Sequence, residues 1–193
     1  MEQNKKKGEF RMDNIKKLIL SFFSLIIILS MTACQNNTTI MGYTNSNESY
    51  GITLPATWIQ DTGVSNGDIL VLYSNEERDI IISIQQYDRE IAEDTMGLNS
   101  LERFQQFYKI NSIIAGLYPS GKTKEVEYNM ENMKNVLAEE LVSDSNDNTV
   151  AKAFCVAAES DNAYYTCIIT GEQKIYNRNI DNLKEVLSAL VEK

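Results

Sequence analysis

The sequence predicts an α+β fold in which helices flank a central antiparallel β-sheet, an α/β/α sandwich. Three observations lead there. Residues 79–88 place Ile80, Ile82 and Ile84 on one face, and from Lys122 onward apolar and polar side chains alternate up to Met130, as strands do. Residues 98–117 and the stretch after Asn179 change to a helical period. The links between elements are mostly short, which favours antiparallel neighbours.

The folded part is expected over residues 48–193. Its first strand is Ser49-Tyr50-Gly51-Ile52-Thr53-Leu54, stopped by Pro55, which has no N–H for a ladder. Trp58 follows in the turn. Strands are expected at residues 68–74 and 79–88, the second placing Ile80, Ile82 and Ile84 on one face. The turn between them is Asn75-Glu76-Glu77-Arg78. Leu101, Phe104, Phe107, Tyr108, Ile110, Ile114 and Leu117 then form one wide helical stripe. Asn99 with Glu102 resembles a capping pair at its start, and Gly116 and Pro119 mark its end.

Period two returns with Val126, Tyr128 and Met130 alternating against Glu125, Glu127 and Asn129. Further strands are expected at residues 133–143, 149–158 and 163–170. Ile180, Leu183, Leu187, Leu190 and Val191 line a closing helix with Asn179 at its N-cap. The predicted order is three strands, a helix, four strands and a helix.

Residues 1–33 read differently. Lys16 and Lys17 precede the apolar run LILSFFSLIIIL, and Ser30-Met31-Thr32-Ala33-Cys34 follows. This is the layout of a signal peptide. Twelve apolar residues in a helix reach about 18 Å, short of the roughly 30 Å hydrocarbon layer, so cleavage is favoured over a permanent span. Met31-Thr32-Ala33-Cys34 resembles the lipobox of bacterial lipoproteins, with Met31 where Leu is usual. The resemblance implies cleavage before Cys34 and a diacylglycerol on its sulfur, so that membrane attachment runs through Cys34. Met12-Asp13-Asn14-Ile15-Lys16-Lys17 is already a complete n-region, which makes Met12 a candidate start. Residues 34–47 read as a polar, lipidated tether.

Six of the 18 basic residues and three of the 27 acidic ones precede Cys34. The remainder carries 12 basic and 24 acidic side chains, a formal −12. That charge excludes nucleic acid as a partner and fits an envelope protein or a cationic ligand. The chain has no histidine, which removes His-based triads, His metal sites and the usual proton shuttle near neutral pH. No cofactor or metal is called for, because a domain of this size sustains its own core.

Few residues invite chemistry. Cys155 and Cys167 average to position 161, so a hairpin symmetric about that residue would set them opposite one another for a disulfide. Ala151, Ala153 and Ala157 nearby favour two free thiols buried beneath a helix. Asp144-Ser145-Asn146-Asp147-Asn148 begins like a calcium loop, but Thr149 stands where Gly is needed and Cys155 where a bidentate Glu is needed. Trp58 is a ligand-contact candidate or a lid over the core; Tyr73, Tyr128, Tyr164 and Tyr165 fall inside strands and read as packing. Glu139 and Glu140 point to opposite faces of a strand and cannot act as a pair. They read, with Glu125 and Glu127, as solvated surface.

The opening Tyr50-Gly51-Ile52-Thr53-Leu54-Pro55-Ala56-Thr57-Trp58, the element order across residues 48–192 and the final Val186-Leu187-Ser188-Ala189-Leu190-Val191 together resemble the PsbP-like fold. That fold is shared by extrinsic photosystem subunits and DcrB-type bacterial lipoproteins. The resemblance implies a central antiparallel sheet with helices on its faces and a noncatalytic binding or assembly role. The competing expectations are a cell-envelope enzyme working through carboxylates and a purely structural envelope component. Fold alone does not choose a ligand.

Overall fold

In the computed structural model, the described residues are 39–193 apart from 66, 113, 118–120 and 145–149. Residues 1–33, read above as a signal peptide, Cys34 and most of the calcium-like loop lie outside them. Strands β1 (Ile40–Thr44), β2 (Tyr50–Pro55), β3 (Ile59–Gln60), β4 (Ile69–Tyr73) and β5 (Ile80–Asp88) come first. Helices α1 (Arg89–Met96) and α2 (Leu101–Asn111) and a 3-10 turn (Ala115–Leu117) follow. Then come β6 (Lys122–Val126), β7 (Asn135–Asp144), β8 (Val150–Glu159), β9 (Ala163–Glu172), α3 (Gln173–Ser188) and β10 (Val191–Glu192).

A seven-stranded sheet runs in the order β3-β4-β5-β9-β8-β7-β6, and a three-stranded one in the order β1-β2-β10. Every pairing is antiparallel. The predicted sheet and its flanking helices are therefore present. Strand β9 is central between β5 and β8, and both its faces are covered. That explains its near-continuous burial from Ala163 to Ile169.

Alternation sends side chains of the large sheet into two cores. Ile82, Ile84, Phe154, Val156, Tyr165 and Ile169 face Tyr50, Ile52 and Leu54 of the small sheet and Tyr176, Ile180, Leu183 and Leu187 of α3. The opposite face presents Ala153, Cys155, Ala157, Tyr164 and Ile168 to Leu101, Phe104 and Tyr108 of α2. The alanines of β8 leave room for those rings, and Phe104 stacks on Tyr164 with centroids 4.9 Å apart.

Several expectations change. The folded part includes Ile40–Thr44, ahead of the expected start at residue 48, because β1 pairs with β2 along its length. Tyr43 is buried there, its hydroxyl donating to the Trp58 carbonyl at 2.8 Å. Asn45 organises the β1–β2 turn by accepting from the Ser49 N–H at 2.9 Å. Helix α1 was not expected. It buries only Ala92, while Ile91 is exposed, so its stripe is too thin to register as a period. Its ends are well marked: the Asp88 side chain accepts from the Ile91 N–H, and Gly97 closes it in the left-handed region at φ 69°.

Ser100, not Asn99, caps α2, which stops at Asn111 instead of continuing to residue 117. Helix α3 begins at Gln173, six residues before the expected cap, and Asn179 instead donates within the helix to the Ile175 carbonyl. Burial of Tyr176 extends α3 backwards. Tyr128 and Met130 lie beyond the end of β6, although Tyr128 still packs, its ring edge-on to Phe154 and its hydroxyl donating to the Lys184 carbonyl at 2.7 Å. Val191 leaves the helix altogether and pairs with Gly51.

Candidate binding surfaces

The β8–β9 hairpin decides the cysteines. The Ser160 N–H donates to the Ala163 carbonyl across Asp161-Asn162, and the register sets Cys155 against Ile168 and Val156 against Cys167. The shift is one residue from the symmetric arrangement. One residue reverses the face, so Cys155 enters the core under α2 and Cys167 the core under α3. Both are buried and neither is in a disulfide, since the two side chains lie on opposite faces of the sheet. Burial pushes the Cys167 thiol far above its ordinary pKa.

Glu139 and Glu140 do point to opposite faces, but Glu139 is not solvated. It is 2% exposed beneath α2, with an oxygen 2.7 Å from the Lys109 ammonium and the Tyr108 hydroxyl within 3.4 Å. A lone buried carboxylate would cost several kcal/mol, so the Lys109 pairing is what makes the position tenable. The signal was in the sequence: Leu137, Glu139 and Leu141 share one face, and the leucines face the core. Glu140 pairs with Lys184 at 2.7 Å on the other side. Glu125 and Glu127 are exposed, as expected.

Sequence reading missed a polar network where β5 passes into α1. Arg89 holds Glu93 through Nε at 2.7 Å and Glu159 through Nη1 at 2.7 Å. Asn135 donates to the second Glu159 oxygen at 3.0 Å, and the Tyr164 hydroxyl donates to Glu93 at 3.2 Å. The Arg89 hydrogen bond holds Glu93 below the usual carboxylate range. Burial first, and then Glu93, push the Tyr164 phenol upward. A cleft of about 430 Å³ opens beside this network, between Ser100 at the start of α2, Asn135 on β7 and Tyr164 on β9. Glu93 and Glu159 are already committed to Arg89, and the guanidinium fork is taken by these two carboxylates, so the arrangement acts as a clamp between elements. Among the described residues no group of His, Cys, Asp and Glu is placed to hold a metal ion.

Trp58 is half-buried against the larger core. Tyr73 hydrogen-bonds Asp61 at 2.8 Å, and the Arg78 guanidinium lies 4.4 Å from the centre of the Tyr73 ring. That hydrogen bond is the main reason the Asp61 carboxyl sits below its ordinary range. On α2 an open apolar groove of about 570 Å³ is formed by Leu98, Phe107 and Ile110 and rimmed by Glu102 and Arg103. Ile110 is 76% exposed, so the outer part of the predicted stripe faces solvent rather than core. Among the described residues no helix is long and apolar enough to cross a membrane.

Layering, strand order and the two cores define an α+β domain of the PsbP-like kind. The solution structure of cyanobacterial PsbP (CyanoP) from a Synechocystis species is similar, with a TM-score of 0.52 and 12% identity over 81% of this chain and 94% of that one. The crystal structure of the Ran-binding protein Mog1p from Saccharomyces cerevisiae is similar at a TM-score of 0.53 and 9% identity, over 80% and 96% of the two chains. At such identities the likeness establishes the fold. No family model matches the chain, and no curated protein matches its sequence.

Proposed function

We propose that this chain is a lipoprotein on the extracytoplasmic face of a membrane, anchored through Cys34, whose PsbP-like domain has a noncatalytic binding or assembly role. The observation that carries the reading is a juxtaposition: a lipobox-like cysteine stands six residues before the first strand of that domain. The partner class is another envelope component, a protein or a cationic ligand, in keeping with the acidic domain. The carboxylates best placed for catalysis, Glu93 and Glu159, are tied to Arg89. That favours a structural part for them over acid–base work.

Metabolic labelling with an alkyne fatty acid in a bacterial host tests the anchor. The wild-type chain takes up label and partitions into detergent, and Cys34→Ala does neither; an unlabelled wild-type chain contradicts the reading. Crosslinking in intact cells followed by affinity capture of the lipidated protein tests the binding role and is expected to recover a stoichiometric envelope partner. Turnover of envelope material that disappears in a folded Glu159→Gln variant would instead establish an enzyme.

A further inference from the structure

From the geometry we infer that the outward face of the three-stranded sheet rests on the lipid bilayer that holds the Cys34 anchor. The inference depends on the anchoring reading above. Five peptide steps separate Cys34 from Thr39, where the described chain begins, and fully extended they span at most about 18 Å. A tether of residues 34–47 would have lifted the domain clear of the surface. With β1 starting at Ile40, the small sheet stays close to it.

What that sheet turns outward is suited to the place. Tyr43 on β1 and Tyr50, Ile52 and Leu54 on β2 point into the core, so alternation turns their neighbours away from it. The outward positions are Ile40, Gly42 and Thr44 on β1, Thr53 and Pro55 on β2 and Val191 on β10. None carries a charge. Ile40 is 69% and Val191 50% exposed, and Ala56 and Thr57, exposed in the turn after β2, are also uncharged. Charges gather at the turn end of the sheet, away from Ile40: Glu192 follows Val191 but takes the other side of β10 opposite Tyr50, Glu48 is exposed in the β1–β2 turn, and the Lys193 N–H donates to the Ser49 carbonyl.

Electrostatics selects the same face. A domain with a formal −12 beyond Ala33 is repelled by an anionic leaflet over distances of about a Debye length, roughly 8 Å at physiological salt, and presents its neutral side to it. The other apolar surface, the groove containing Ile110, is rimmed by Glu102 and Arg103. It also lies on the opposite side of the seven-stranded sheet, since α2 and the small sheet cover opposite faces.

The test uses the lipidated full chain in vesicles of phosphatidylethanolamine and phosphatidylglycerol that carry a nitroxide near the headgroup. Thr53→Cys, Val191→Cys and Ile110→Cys chains are each labelled with a thiol-reactive fluorophore; Cys155 and Cys167 are buried and stay unlabelled. Lipid quenching several-fold stronger at positions 53 and 191 than at 110 is the expected result. Equal quenching, or stronger quenching at 110, overturns the orientation and leaves the anchor standing. A chain recovered without lipid overturns both.

Discussion

Replacing Gly171 by Ala sets two opposed effects against each other, and the structure decides the sign. A glycine inside a strand costs conformational entropy on folding, so Gly→Ala at an unstrained site stabilises by about 0.4–1 kcal/mol. At Gly171 an added Cβ would lie 2.5 Å from the carbonyl oxygen of Asp79 and 3.5 Å from the Ile80 Cα. Both are backbone atoms at the start of β5, the strand that pairs with β9 over nine positions from Ile80 to Asp88. No side-chain rotation relieves the contact. The strands must separate, at a cost of about 1–3 kcal/mol. Subtracting the entropic gain leaves a net loss of about 1–2 kcal/mol, or about 2–8 °C in Tm for a domain of this length. Gly42 provides the internal control, since nothing lies within 4 Å of its added Cβ. Urea denaturation of the Cys34→Ala chain, followed by circular dichroism, measures both. The expected result is a lower midpoint for Gly171→Ala with unchanged slope, and an equal or higher midpoint for Gly42→Ala. A Gly171→Ala chain as stable as its parent refutes the close approach of β9 to Asp79.

Further outcomes follow from single side chains. Phe104→Ala removes a fully buried ring that packs on Tyr164 and Tyr87, and should lower stability by about 3–5 kcal/mol in the same assay. Tyr176→Phe should be neutral or stabilising, by up to about 1 kcal/mol, because the buried Tyr176 hydroxyl has no hydrogen-bond partner among the described residues. In the Cys34→Ala chain a thiol reagent at mildly alkaline pH should find no reactive cysteine in the native state and both Cys155 and Cys167 after unfolding; a nonreducing unfolded chain without free thiols would restore the disulfide. Glu93 has its folded pKa depressed by Arg89. Its contribution is thus complete above the unfolded carboxylate value of about 4.3 and is lost as pH falls through the folded value. The stability difference between the parent and Glu93→Gln should be constant near neutrality and shrink in acid.

Strong periods were legible in the sequence, and local competition hid the rest. Ile80, Ile82 and Ile84 announce β5, and Leu183 and Leu187 announce α3, because each burial pattern repeats over several residues. The start of α3 was hidden by Asn177 and Asn179, poor helix formers that tertiary packing of Tyr176 overrides. Strand β1 was hidden by its short length and by the two polar edges around it. The cysteine pairing turned on whether the β8–β9 loop has two residues or three, a choice that reverses every face and that composition does not make. The Arg89 network was out of reach for another reason. It joins residues from β5–α1, β7 and the β8–β9 hairpin, and no local spacing connects them.

Anchoring through Cys34 depends on the identity of the mature N-terminus. Intact-mass and terminal-fragment analysis of the native protein, extracted from cell membranes with detergent, reads it directly. The expected result is a chain that begins at Cys34 and carries the added mass of a diacylglycerol. An unacylated chain in the detergent-free soluble fraction, with its leader still attached, would contradict it.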